Sequence, residues 1–212
     1  MLKAMKKNGL SLTLFAVATT AVVALTHSLT KERIYEQQQQ QLMKTLNQIV
    51  PHDDYDIPLH LSCHLVTNEQ YLGSSKPRRA FVALKQGEPV AVALETTAPD
   101  GYNGDIHIVF GASWNGTLTG VRTLSHNETP GLGDGIETRK SDWVLGFTGY
   151  FLESESDKRI GVKKDGGDFD QFTGATITPR AYTKAVRNGL IYLSRFKGDI
   201  TSAPSCQGES SE

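Results

Sequence analysis

The spacing of hydrophobic positions changes character along this chain. Residues 8–30, "NGLSLTLFAVATTAVVALTHSLT", hold no acid and no Lys or Arg. At about 1.5 Å per residue, a helix of that length crosses a hydrocarbon core of about 30 Å. Leu42, Leu46 and Ile49 then recur at i, i+4 and i+7, which predicts a helix over 31–49 running on from the apolar segment as far as Pro51. "QQQQQ" at 37–41 sits within it as solvated helix surface. "PHDDYDIPLH" is a loop by its prolines and acids. Past Pro77 the period falls to two. "AFVALKQGEPVAVALET" predicts two strands joined at Gln86-Gly87-Glu88, and Ile106, Ile108 and Phe110 alternate in the next one. Asn115-Gly116 signals a hairpin with "LTGVRTL" as the returning strand. Residues 178–196 return to the helical period, with Tyr182, Val186, Gly189, Leu190 and Leu193 on one face and Lys184, Arg187 and Arg195 on another. Strands in the middle and helices at the ends make the fold class α+β.

Charge narrows the functional classes. The 212 residues carry 22 Lys and Arg against 23 Asp and Glu, without the basic balance or stripe of a nucleic-acid binder. Lys3, Lys6 and Lys7 precede the apolar run and predict a cytoplasmic N-terminus with the remainder outside. A cleaved signal peptide is the rival reading, with Ala16-Val17-Ala18 as its cleavage site. Ala21, Val22, Val23, Ala24 and Leu25 carry the apolar run past that point and favour an uncleaved anchor. Cys63 and Cys206 are too far apart for a CxxC pair. In an oxidising compartment they can form one disulfide; otherwise they are two unrelated thiols.

The chemistry concentrates in "DQFTGATITPRA", residues 170–181. Pro179 suits the first helical position, which makes Thr178 an N-cap candidate with its hydroxyl beside the amides of Arg180 and Ala181. A helix N-terminus is also an anion site. Thr176 and Thr178, two apart, point to the same side of an extended segment, and Gly174 and Ala175 leave room for a bulky group. Together these suggest a ligand that carries phosphate, without naming it.

The stretch "DQFTGATIT" resembles the D-x-x-[ST]-G-A-T-x-[ST] motif of the FMN-binding domain shared by flavinylated membrane electron-transfer proteins. The N-terminal anchor, "TAPDGYNGDI", "HNETPGLGD" and "VKKDGGDFDQFTGATITPRA" extend the resemblance across the chain to the G-subunit family of the Rnf (Rsx) electron-transport complexes. The resemblance implies FMN joined through its phosphate to Thr178, with Thr173, Gly174, Ala175 and Thr176 around it. It implies a flavin transferase that uses FAD and a divalent metal, recognises Asp170 and moves the FMN moiety. It also implies the other subunits of the membrane complex as partners and, in the Rsx version, a role in keeping the regulator SoxR reduced. Glu128, Thr129, Pro130, Gly131, Leu132 and Gly133 become the expected ring-side loop, where composition alone gives an ordinary surface turn. Arg180, Lys163 and Lys164 are candidates to meet the phosphate charge. The implied organisation is a cytoplasmic N-terminus and anchor at 1–30, a juxtamembrane helix at 31–50, a periplasmic FMN-binding domain at 51–200 and a tail at 201–212.

Other candidates carry less. His126 beside Glu128 lacks an H-E-x-x-H pattern or a third ligand, so no metal site is expected. Gly131, Gly133 and Gly135 alternate, unlike a dinucleotide fingerprint. Asp134 and Asp142 read as solvated, and Tyr102 either stacks near the ring or packs in the core. Three alternatives stand beside the electron carrier. The C-subunit family of the sodium-pumping NADH:quinone oxidoreductases shares the motif, but the "TPGLGD" and "VKKDGGDFD" contexts and the short chain favour the Rnf family. A non-redox periplasmic assembly protein would use Thr178 merely as a cap. A threonine hydrolase finds no nucleophile–His–Asp spacing to support it.

Overall fold

The computed structural model describes residues 2–50 and 55–206. The first four residues of the expected 51–60 loop and the end of the expected tail lie outside the described residues. Two compact units emerge, Met1–Met43 and Lys44–Glu212.

Helix α1 runs unbroken over Leu2–Ile49, because nothing between the apolar run and Pro51 interrupts it. It contains a segment of mean hydropathy 1.9, long and apolar enough to cross a membrane. Leu10, Leu12, Leu14, Phe15, Val17, Val22, Val23, Leu25 and Leu29 are all exposed. The threonines that dilute this run hide their hydroxyls: Thr13, Thr19, Thr26 and Thr30 each donate to the carbonyl four residues back, at 2.8–2.9 Å. That pairing keeps polar groups satisfied where no water would serve them.

The second unit is built on a five-stranded antiparallel sheet in sequential order. Its strands are β1 (Cys63–Val66), β2 (Arg78–Lys85), β3 (Glu88–Gly101), β4 (Gly104–Ser113) and β5 (Leu118–Ser125). The two expected hairpins form. Gln86 and Gly87 both take positive φ, 54° and 85°, as a tight turn matched to strand twist requires. The short helix α2 (Glu69–Leu72) links β1 to β2.

Helix α3 (Ile177–Ser202) lies on one face of the sheet and continues past the predicted end at Phe196, whose φ of −121° marks a kink. Tyr182, Val186, Leu190 and Leu193 are buried against Leu94, Ile106, Ile108 and Phe110, as their helical spacing predicts. The opposite face receives Leu46, Ile49 and Val50, all fully buried. A Cβ at Gly111 would lie 2.3 Å from the Ile49 carbonyl oxygen, so β4 has a glycine where the helix end touches it. The Thr119 hydroxyl donates to that same oxygen.

Edge strand β1 is covered by the tail. The Leu65 amide donates to Pro204 O at 2.8 Å, and His64 Nδ1 pairs with Ala203 O at 2.9 Å. Cys63 and Cys206 are disulfide-bonded with Cα atoms 5.4 Å apart across 143 residues. Closing a loop of that length stabilises by about 2–4 kcal/mol. Thiol titration of the unfolded, unreduced protein is expected to find no reactive thiol, and both cysteines after reduction. Reactive thiols before reduction would show that the bond does not form.

Candidate functional site

Three chain segments converge at the N-terminus of α3. The first is the tip of the β3–β4 hairpin, Tyr102 and Asn103. The second is the loop after β5, "HNETPGLGD". The third is the turn that leads into α3. The cleft between them is lined by Tyr102, Glu128, Thr129, Leu132, Gly133 and the run from Gly174 to Thr178.

The turn is held from behind by an aromatic cluster. The Trp143 indole donates to Asp170 O at 2.9 Å and meets Phe172 edge-on at 5.2 Å between centroids. Its contacts with Phe147, Phe169 and Tyr182 are likewise edge-on, the arrangement that aromatic quadrupoles favour. The Ala175 amide closes the turn on Phe172 O at 3.1 Å, with Gly174 at φ 78°. Only glycine takes that conformation freely. Burial pushes the Tyr182 phenol well above its usual range, so it remains a neutral core group.

The helix start differs from expectation. Thr176, not Thr178, stands at the N-cap position, and its side chain makes no capping hydrogen bond. Thr178 is the second helical residue and Pro179 the third. Proline is tolerated throughout the first turn, since its missing N–H would find no intrahelical partner there. Ile177 and Thr178, the first two residues of the helix, both line the cleft. Thr178 is fully buried, and its hydroxyl donates to Glu128 Oε2. Glu128, itself only 5% exposed, also accepts the Asn103 amide at 3.0 Å through Oε1.

Gly133 fits between these two side chains. A Cβ there would lie 2.7 Å from Glu128 Oε2 and 2.8 Å from Thr178 Oγ1. The rest of the loop is braced from outside the cleft. His126 Nδ1 accepts the Glu128 amide at 3.0 Å, and its Nε2 donates to Glu137 at 2.9 Å. The Arg139 guanidinium, with a smaller share from His126, holds the Glu137 carboxyl below its usual range. Asp134, expected to be solvated, is buried because it accepts the Gly131 amide at 2.8 Å and pairs with Lys140. Asp142 is exposed as expected.

Of the residues singled out in the sequence, Thr178, Gly174, Ala175, Thr176, Glu128, Thr129, Leu132 and Gly133 line the cleft. Thr173, Pro130 and Gly131 are exposed and outside its lining. Tyr102 is not in the core; it is 68% exposed at the mouth. Arg180 and Lys163, candidates for an anion, are already paired with Asp165 at 2.6 Å and Asp170 at 2.7 Å. Lys164 is exposed and away from the lining. Ile177 and Asn103 were missed. An exposed Ile in a polar turn and a backbone amide carry no sequence signal of a site.

Residues 101–191, which contain the whole cleft, match the FMN-binding domain family, and residues 1–49 match the family described as the RnfG N-terminal region. The class is thus an FMN-binding domain that follows a helix able to anchor it in a membrane. A Vibrio cholerae protein, named as the G-subunit of an ion-translocating oxidoreductase complex, is 50% identical over 210 residues, covering 99% of this chain and 100% of the relative. Proteins of the same name from Shewanella piezotolerans and Shewanella oneidensis are each 51% identical, over 98% and 94% of both chains. The chain belongs to the G-subunit family of ion-translocating oxidoreductase complexes.

Proposed function

We propose that this chain carries electrons within an ion-translocating oxidoreductase complex of the bacterial inner membrane, on FMN joined through its phosphate to Thr178. The observation that carries this reading is the Thr178 hydroxyl, set on the cleft side of an uncapped helix start within the FMN-binding domain.

The residues present fit the group. The start of α3 lines the cleft, Thr176 makes no capping hydrogen bond there, and such a helix end stabilises an anion by about 0.3–1 kcal/mol when exposed. That is too little for lasting retention, so the covalent bond supplies permanence. The enclosed volume is about 140 Å³, below the roughly 300–1,000 Å³ of sites that engulf a drug-sized ligand. The cleft therefore suits the phosphate end, and the exposed Tyr102 and Leu132 at its lining would border the ring. When bound, the flavin ring accepts and returns one or two electrons. Thr173 and Asp170 lie on the exposed outer side of the turn, where a flavin transferase can read them.

Lys3, Lys6 and Lys7 before the apolar run support an N-terminus in the cytoplasm and the second unit in the periplasm. The disulfide agrees with an oxidising compartment. A periplasm-specific reporter fused after Glu212 is expected to be active, and activity of a cytoplasm-only reporter there would reverse the topology. For the function itself, the protein is co-expressed with its flavin transferase and run on a denaturing gel under ultraviolet light. A fluorescent band is expected. Its absence under those conditions removes the covalent electron-carrier reading.

A further inference from the structure

The acidic side chain in the cleft is out of place for a site that merely holds phosphate. Glu128 is buried, and the oxygen it contacts is the one that would become a phosphodiester. Two anions at that distance repel, and burial strengthens the repulsion. A residue kept only to bind FMN would be a donor, not an acceptor. The placement makes sense if the carboxylate acts while the bond is being formed.

Building on the reading that Thr178 carries the flavin, we propose that Glu128 is the general base for its own chain's modification. In this step Thr178 Oγ attacks the FMN-side phosphorus of FAD, presented by the transferase. The new bond is Oγ–P. The bond that breaks is the pyrophosphate P–O, whose electron pair leaves with AMP. The Thr178 proton passes to Glu128 Oε2, already its hydrogen-bond acceptor. No group is oxidised or reduced. Glu128 holds the proton at the end of the step and releases it to solvent, while the phosphodiester keeps the single charge that its phosphorus carried in FAD.

The surroundings support this role. The Asn103 amide donates to Oε1 and fixes the carboxylate, leaving Oε2 to face the hydroxyl. Gly133 leaves room for the pair. The acceptor chain thus brings an activated nucleophile to the transferase, which supplies FAD and the metal. The family resemblance located the threonine but said nothing of how its proton leaves.

The test uses full-length, unmodified protein with purified transferase, FAD and Mg²⁺, and follows attachment by intact mass. Glu128→Gln keeps the shape and can hydrogen-bond both neighbours, its oxygen accepting the Asn103 amide and its NH₂ donating to the Thr178 oxygen, but it removes the base. Its kcat for attachment is expected to fall by about 10²–10⁴-fold, with the KM for the acceptor protein nearly unchanged. In Glu128→Ala, added formate is expected to restore a substantial part of the rate, as it enters the space left by the carboxylate. Thermal melts of both variants check that they are folded. Attachment to Glu128→Gln at the wild-type rate would overturn the proposal. So would a rise in KM without loss of kcat, or a folded Glu128→Ala that formate fails to rescue. If the wild-type protein gains no FMN on Thr178 in the same assay, the attachment reading itself has failed, and the two failures remain distinct.

Discussion

Thr178→Ala is expected to carry no covalent FMN while remaining folded. The structure changes the basis for its stability. Thr178 is not a cap, so the cost is that of its hydrogen bond to Glu128. Leaving a buried acceptor short of one donor costs about 1–3 kcal/mol, within the roughly 5–15 kcal/mol that typically stabilises a domain. Glu128 keeps the Asn103 amide and is one of the residues lining the cleft. Thr178→Val is a useful second variant, because it keeps the branched shape and removes only the nucleophile. Thr178→Ser retains the hydroxyl and is expected to accept at least some FMN, while losing the methyl that limits its rotamers. Thr176→Ala should reduce attachment less, since Thr176 is exposed and its side chain makes no cap. Intact mass after co-expression with the transferase decides the matter. A full adduct on Thr178→Ala would move the attachment point elsewhere.

Most of the sheet was legible because its signals are local. Gln86-Gly87 and Asn115-Gly116 announce their own turns, and alternation names the buried face of β4. Tyr182, Val186, Gly189, Leu190 and Leu193 likewise marked the face that α3 buries. Strand β1 was not legible. "CHLV" is four residues long, shows no alternation, and is held at the sheet edge by contacts with the tail more than a hundred residues away. The same distinction divides the site. The turn and the threonine could be read from one contiguous motif. The Thr178–Glu128 contact spans 50 residues of sequence, and no period or spacing encodes it. A threonine before a proline looks like a cap because that is the commoner local arrangement, and only the observed helix start at Ile177 corrects it. Asp134 looked solvated for a similar reason. Its hydrogen-bond partner is a backbone amide, which composition does not reveal.

Gly133→Ala is expected to lose most of the covalent FMN, and the reason is space alone. Gly133 has φ −87° and ψ −12°, a right-handed conformation that alanine adopts without strain. The added Cβ, however, would sit 2.7 Å from Glu128 Oε2, 2.8 Å from Thr178 Oγ1 and 2.9 Å from Glu128 Cβ. Neither neighbour is a loose end. Thr178 is fixed to the first turn of α3, and the Asn103 amide pins the Glu128 carboxylate. One of them must move, and the contact between hydroxyl and carboxylate is what gives way. Overpacking of this kind costs about 1–3 kcal/mol, and a displacement of about 1 Å at reacting groups can cost about 10²-fold in rate. Gly198→Ala is the matched control. Gly198 also lies in α3, but nothing stands within 4 Å of its added Cβ, and alanine in a helix gains about 0.5–1 kcal/mol over glycine. Time-resolved intact mass with purified transferase should therefore show attachment slowed by about 10²-fold for Gly133→Ala and unchanged for Gly198→Ala. Thermal melts should move in opposite directions for the two variants. Wild-type attachment to Gly133→Ala would mean that the geometry of the Thr178–Glu128 pair does not control the modification.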